Sequence, residues 1–172
     1  MQLVSIDLQL AETFRTSPAE CESAMGATIG PAAEWLPNIF DHTLSLYERK
    51  PRPLQWGAFL AIDDTTNQII GTCAYKEAPT AEGLIEIAYF TFPPFENRGH
   101  ATTMATELTA CALLSPEVNQ VIAHTLPERN ASCRALEKAG FRFVGDVIDQ
   151  EDGPVWRWER TKADAYPEHS SA

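Results

Sequence analysis

Residues 86–108 read EIAYFTFPPFENRGHATTMATEL, and they constrain the fold more than any other stretch of the chain. An apolar run stops at Pro93 and Pro94, a polar crossing carries Arg98 and Gly99, and Ala101, Met104, Ala105 and Leu108 then recur at helical spacing. Proline cannot donate to a sheet ladder, so the strand must end there. A strand feeding a glycine turn and a helix start leaves the first amides of the helix unpaired, and the helix dipole favours an anion at that point. Many α/β connections share this much, so the flanking segments decide what the cradle is for.

Upstream, residues 1–6 form an edge-strand candidate. Ser17-Pro18-Ala19-Glu20 joins an N-cap type, a proline and an acidic first turn, which predicts a helix start. Over 32–49 the apolar residues Trp35, Leu36, Ile39, Phe40, Leu46 and Tyr47 recur at helical spacing, with Pro37 in the first turn and Pro51 and Pro53 beyond the end. Runs at 56–62 and 68–75, separated by Asp63-Asp64-Thr65-Thr66-Asn67, predict a hairpin, and 83–92 a third antiparallel strand. A helix over 100–114 and a strand over 118–124 complete a crossover, which implies parallel pairing. Asn130 to Gly140 is a further helix, Phe141 to Val144 resumes a strand, and a turn at 151–153 leads into residues 155–160. Trp156 and Trp158 there share one face, expected to be buried.

With 172 residues, 44% of them hydrophobic, the chain suits one domain, expected over 1–162, with a polar tail at 163–172 too poor in apolar surface to order itself. Thirteen Lys and Arg against 24 Asp and Glu leave a formal net charge of -11, which disfavours nucleic acid and attracts cationic partners. Cys21, Cys73, Cys111 and Cys133 are scattered without a C-x-x-C pair, so no metal site is expected, and reduced thiols fit a cytoplasmic protein. No export signal or membrane-length apolar run occurs, so no membrane partner is expected.

Two segments match one family in the same order. Glu86-Ile87-Ala88-Tyr89, Pro93, Arg98-Gly99, His100 and Ala101-Thr102 follow its cofactor strand and loop. Asn130, Ser132, Leu136, Glu137, Lys138, Gly140 and Phe141 follow its second motif. The chain resembles the GNAT acetyl-CoA-dependent N-acetyltransferases, in the branch that includes ribosomal-protein N-terminal acetyltransferases. The resemblance implies an α+β, GNAT-type fold: a central mixed, mostly antiparallel sheet flanked by helices, with a parallel, splayed strand pair at the cofactor cleft. It implies acetyl-CoA as cosubstrate, an amine-bearing acceptor and, by analogy, a homodimer.

Residue by residue, it assigns the backbone of Phe90, Thr91 and Phe92 to the pantetheine arm. The amides of Arg98, Gly99, His100, Ala101 and Thr102 go to the pyrophosphate, and Asn130 and Ser132 to the far side of the cleft. Acetyl transfer needs a neutral amine, so Glu86, a carboxylate in an otherwise apolar strand, is the candidate base. A solvent-facing strand glutamate is the other reading, as a plain N-cap is for Asn130. The sequence departs from the family at Glu96 and Asn97 in the loop. Glu96 is expected to point into solvent, and Asn97 tolerates a left-handed backbone. Leu136 stands where many members carry an acidic tyrosine, which leaves Ser132 or a water to protonate the leaving thiolate. A non-catalytic acyl-CoA-binding or sensor module on this fold, and an unrelated nucleotide-binding α/β protein, are the competing functions.

Overall fold

The computed structural model describes residues 1–150 and 152–165. Glu151 of the expected turn and residues 166–172 of the expected tail lie outside them. Strands β1 (Gln2–Ser5), β2 (Ala58–Asp63), β3 (Gln68–Tyr75), β4 (Leu84–Thr91), β5 (Gln120–Thr125), β6 (Arg142–Asp149) and β7 (Gly153–Thr161) form one sheet in the order β1-β2-β3-β4-β5-β7-β6. Every neighbouring pair is antiparallel except β4 and β5, as the crossover requires. This is the GNAT fold expected from the motifs.

Helices α1 (Leu8–Thr16), α2 (Pro18–Met25) and α3 (Leu36–Arg49) precede β2; α4 (His100–Leu114) and α5 (Ala131–Lys138) flank β5. Side chains alternate along a strand, so two contacts suffice to separate the layers. Tyr75 donates its hydroxyl to Leu108 O of α4 at 2.7 Å, whereas Phe92, paired one step out of phase, stacks on Trp35 just before α3 at 4.9 Å between ring centroids. The N-terminal helices therefore cover one face and α4 the other. Leu36, Phe40, Ile69, Ile85, Ile87, Met104 and Leu108 belong to the buried core between these layers.

Local chemistry explains most boundaries. Ser17 caps α2 by accepting from Glu20 N, and Gly26 ends it in a left-handed conformation at φ 66°. The helix expected over 32–49 is a 3-10 turn at Gly30–Glu34 followed by α3, with Pro37 in the first turn of α3. Helix α1, capped by Asp7 accepting from Leu10 N, has no counterpart in the sequence reading. The strand begun at Phe141 runs on to Asp149. Where the polar tail was expected, Lys162–Ala165 (α6) forms one helical turn, and Asp164 accepts from Thr161 N at 2.8 Å.

Candidate active site

The cleft begins where the parallel pair comes apart. β4 and β5 are in register only over Leu84↔Gln120, Ile85↔Val121 and Glu86↔Ile122. Beyond Glu86, β4 continues against β3, and β5 continues against β7 as far as Thr125↔Trp156. Two strands held by different partners diverge, and the facing edge of β4 is left open.

Alternation decides which backbone groups line that edge. Glu86 O accepts from Lys76 N and Phe92 N donates to Ile70 O, both at 2.9 Å, so the even-numbered residues of β4 spend their polar groups on β3. The N–H and C=O groups of Tyr89 and Thr91 point to the open side. This corrects part of the expectation: Thr91 is placed to pair with an extended ligand, but the backbones of Phe90 and Phe92 are turned away. Phe92 is also wholly buried, and its carbonyl accepts from Phe95 N at 2.8 Å. Phe90 still reaches the cleft, by its half-exposed ring. Thr91 Oγ1 is buried without a hydrogen-bond partner, an orphan that a polar ligand in the cleft could satisfy.

At the far end of the open edge lies the start of α4. Gly99 is left-handed at φ 85°, and no side chain caps the helix. The first intrahelical bond of the turn runs from Thr103 N to Gly99 O, so the amides of His100, Ala101 and Thr102 have no partner inside the helix. Asn97 is left-handed as well, at φ 60°, as its residue type allows. The cleft of about 400 Å³ is lined by Tyr89, Phe90 and Thr91 from β4, by Gly99, His100, Ala101 and Thr102, and by Ser132 from α5. Two expected residues fall outside it. The Arg98 guanidinium lies over the Phe95 ring at 5.8 Å, and Asn130 is occupied as the α5 cap, its Oδ1 accepting from Cys133 N at 3.1 Å. Burial, reinforced by Arg98 and only partly opposed by Asp63, holds His100 below the ordinary histidine range.

Sequence reasoning missed the cations that do face the cleft, Arg134 and Lys138. Their i, i+4 spacing on α5 was the available signal. Glu96 is exposed, as expected, yet it lines the same cleft. A carboxylate beside unpaired helix-start amides repels any anion bound there. Glu96→Gln is therefore expected to lower the Kd for CoA by roughly threefold to tenfold at low ionic strength, an effect of ~1 kcal/mol that added salt erases. Calorimetric titration at two salt concentrations measures it, and an unchanged Kd at low salt would place the Glu96 charge outside the ligand's field.

At the fork itself, Glu86 Oε1 lies 2.9 Å from His124 Nδ1 and 2.9 Å from Lys76 Nζ. His124 was not singled out by the sequence, because only the β4–β5 register brings it beside Glu86. Leu136 is wholly buried and leaves no phenol on that helix, but the Tyr89 hydroxyl enters the cleft from the strand and approaches Ser132 O at 3.5 Å. Burial pushes Tyr89 up to about 12. Among the described residues no group of three or more His, Cys, Asp or Glu could hold a metal ion, and no helix is long and apolar enough to cross a membrane.

An open strand edge leading to an uncapped helix start makes a cleft that suits an extended ligand with an anionic end. The acetyltransferase (GNAT) domain profile matches residues 7–142, and the chain belongs to the GNAT acetyltransferase family. Solved structures agree in fold. The aminoglycoside acetyltransferase AAC(6')-Ib with ribostamycin and coenzyme A is 18% identical, with a TM-score of 0.64 over 99% of this chain and 97% of that one. A spermidine N-acetyltransferase SpeG chimera from Vibrio cholerae and hSSAT is 14% identical, TM-score 0.65, over 95% and 97%. RimL, a ribosomal L7/L12 alpha-N-protein acetyltransferase in complex with coenzyme A, is 14% identical, TM-score 0.60, over 92% of each chain. No curated protein sequence matches the chain significantly.

Proposed function

We propose that the protein transfers an acetyl group from acetyl-CoA to a primary amine by direct attack, with His124 as the base and Glu86 as its partner. The observation that carries this is the position of the Glu86–His124 pair at the parting of β4 and β5, at one end of the open edge whose other end is the α4 cradle. Acetyl-CoA supplies an activated acyl thioester. The residues fit it: the free groups of Tyr89 and Thr91 suit an extended amide-bearing arm, and the α4 amides with Arg134 and Lys138 suit phosphates. Structural neighbours crystallised with coenzyme A support the same ligand.

A carboxylate only accepts hydrogen bonds, so Glu86 holds His124 as the Nδ1–H tautomer and leaves Nε2 free to take a proton from the amine. This shifts the role expected for Glu86 from base to orienting partner of the base. In this reading the open amides of β4, at Tyr89 and Thr91, polarise the acyl oxygen. At about 12, the Tyr89 phenol is a weaker acid than an ordinary thiol at about 8.5, so it keeps its proton and stabilises a leaving thiolate by donating a hydrogen bond. Ser132, on the same wall, serves as the alternative donor. The four cysteines are all unpaired, which supports a reducing, cytoplasmic setting.

Thermal shift with CoA, ATP and NAD tests the ligand first. Stabilisation by CoA alone is expected, because only a ligand of the native state raises its stability. Transfer of labelled acetyl to a panel of primary amines tests the reaction. CoA binding without transfer to any amine supports instead the non-catalytic acyl-CoA module, the reading favoured by the loss of a phenol at Leu136.

A further inference from the structure

Lys76 follows β3 directly, and its ammonium meets two carboxylates: Glu86 Oε1 at 2.9 Å and Asp152 Oδ2, in the turn before β7, at 3.3 Å. Burial pulls Lys76 down, but Glu86 and Asp152 together outweigh it and hold the group above its ordinary range, so it stays charged. The same face carries a second cation. His124 is the cross-strand partner of Arg157, whose Nε is buried without a hydrogen-bond partner. Of the carboxylates on this face, Glu86 and Asp152 are engaged by Lys76, and Glu159, opposite Ile122, by Gln120 Nε2 at 2.6 Å and by Arg142, while Arg157 has no acceptor for its Nε. A second ammonium on the acceptor would find no free carboxylate and two like charges.

We propose that Lys76 is a specificity-determining residue: it occupies the carboxylates at the fork, so the site takes a primary amine whose remainder is neutral or acidic and discriminates against polycationic amines. The proposal rests on the reading of the Glu86–His124 fork as the acceptor end of an acetyltransferase site. It reverses the bias expected from the net charge of -11. That long-range attraction is screened over about 8 Å at physiological ionic strength, whereas an ammonium within contact distance of the reacting amine is screened far less.

Initial-rate measurements with phenethylamine, β-alanine and spermidine as acceptors, on the unmodified protein and on Lys76→Met, decide it. The Met variant keeps an apolar stem in place of the lysine chain. The unmodified protein should show kcat/KM for spermidine at least about tenfold below that for phenethylamine, since one adverse charge contact is worth about that factor. Lys76→Met should raise the spermidine-to-phenethylamine ratio by about tenfold, through KM, and Lys76→Arg should restore the original ratio. A lysine that only braces the fold would depress all three acceptors together and leave the ratio alone, and that result overturns the proposal, as does a preference of the unmodified protein for spermidine. If Lys76→Met does not fold, Lys76→Gln is read by the same ratio. Absence of transfer to these three and to every other amine of the panel, with the CoA thermal shift intact, overturns the transferase reading itself and the proposal with it.

Discussion

His124→Ala is expected to lower kcat for acetyl transfer by about 10²- to 10⁴-fold, the usual worth of a positioned base, while leaving the Kd for CoA within about twofold. The separation follows from geometry: His124 stands at the fork beside Glu86, and neither residue lines the cleft of Tyr89, the α4 amides and Ser132. Glu86→Gln is expected to cost less, roughly 10- to 10²-fold, because a glutamine can still accept from Nδ1 but no longer stabilises the imidazolium that forms. The double variant should be no slower than His124→Ala alone, since residues acting as one unit lose their function once. Rapid-quench measurement of a single turnover isolates the chemical step. Multiplicative losses in the double variant would make Glu86 an independent base, and full activity of His124→Ala would move proton removal elsewhere.

The parts legible in the sequence are those that local chemistry dictates. Helix α4 was bounded at His100 and Leu114 because a glycine turn opens it and Ser115-Pro116 closes it, and Asn130 and Gly140 did the same for α5. The hairpin of β2 and β3 was legible from its polar connection, and the crossover from strand–helix–strand order. Long-range register was not legible. It decides that Tyr89 and Thr91, not Phe90 and Phe92, face the open edge, and it brings His124 beside Glu86 across 38 residues of chain. A basic residue's direction was equally hidden: Arg98, in the loop motif, lies over Phe95, while Arg134 and Lys138 supply the cations of the cleft. Helix α1 escaped notice because Leu8–Thr16 is short and buries only Ala11 completely, so its stripe is weak.

Trp158→Ala is expected to destabilise the protein by about 3–5 kcal/mol, the cost of emptying a large buried aromatic site. Trp158 is 1% exposed, packs on Phe143 at 5.4 Å between ring centroids, and donates its Nε1 to Thr125 Oγ1 at 3.1 Å. Against a typical total of about 5–15 kcal/mol that is a large share, and for a domain of this size it corresponds to a fall in Tm of roughly 10–15 °C. Thr125 ends β5 and also touches Cys133 Sγ of α5, at 3.6 Å, so the loss should loosen the seat of α5 as well. Trp158→Phe, which keeps most of the volume and gives up the hydrogen bond, should cost only about 1–2 kcal/mol. The neighbouring case is the control. Trp156 shares the face of Trp158, as alternation predicts, but it is only partly buried and its Nε1 donates to the exposed Asp146 at 2.8 Å. Trp156→Ala should therefore cost less, about 2–3 kcal/mol, because part of that surface already meets water and its hydrogen-bond partner is exposed. Urea unfolding of the three variants gives the order directly. Equal losses at the two tryptophans would mean that the β6–β7 hairpin packs more tightly over Trp156 than its exposure shows.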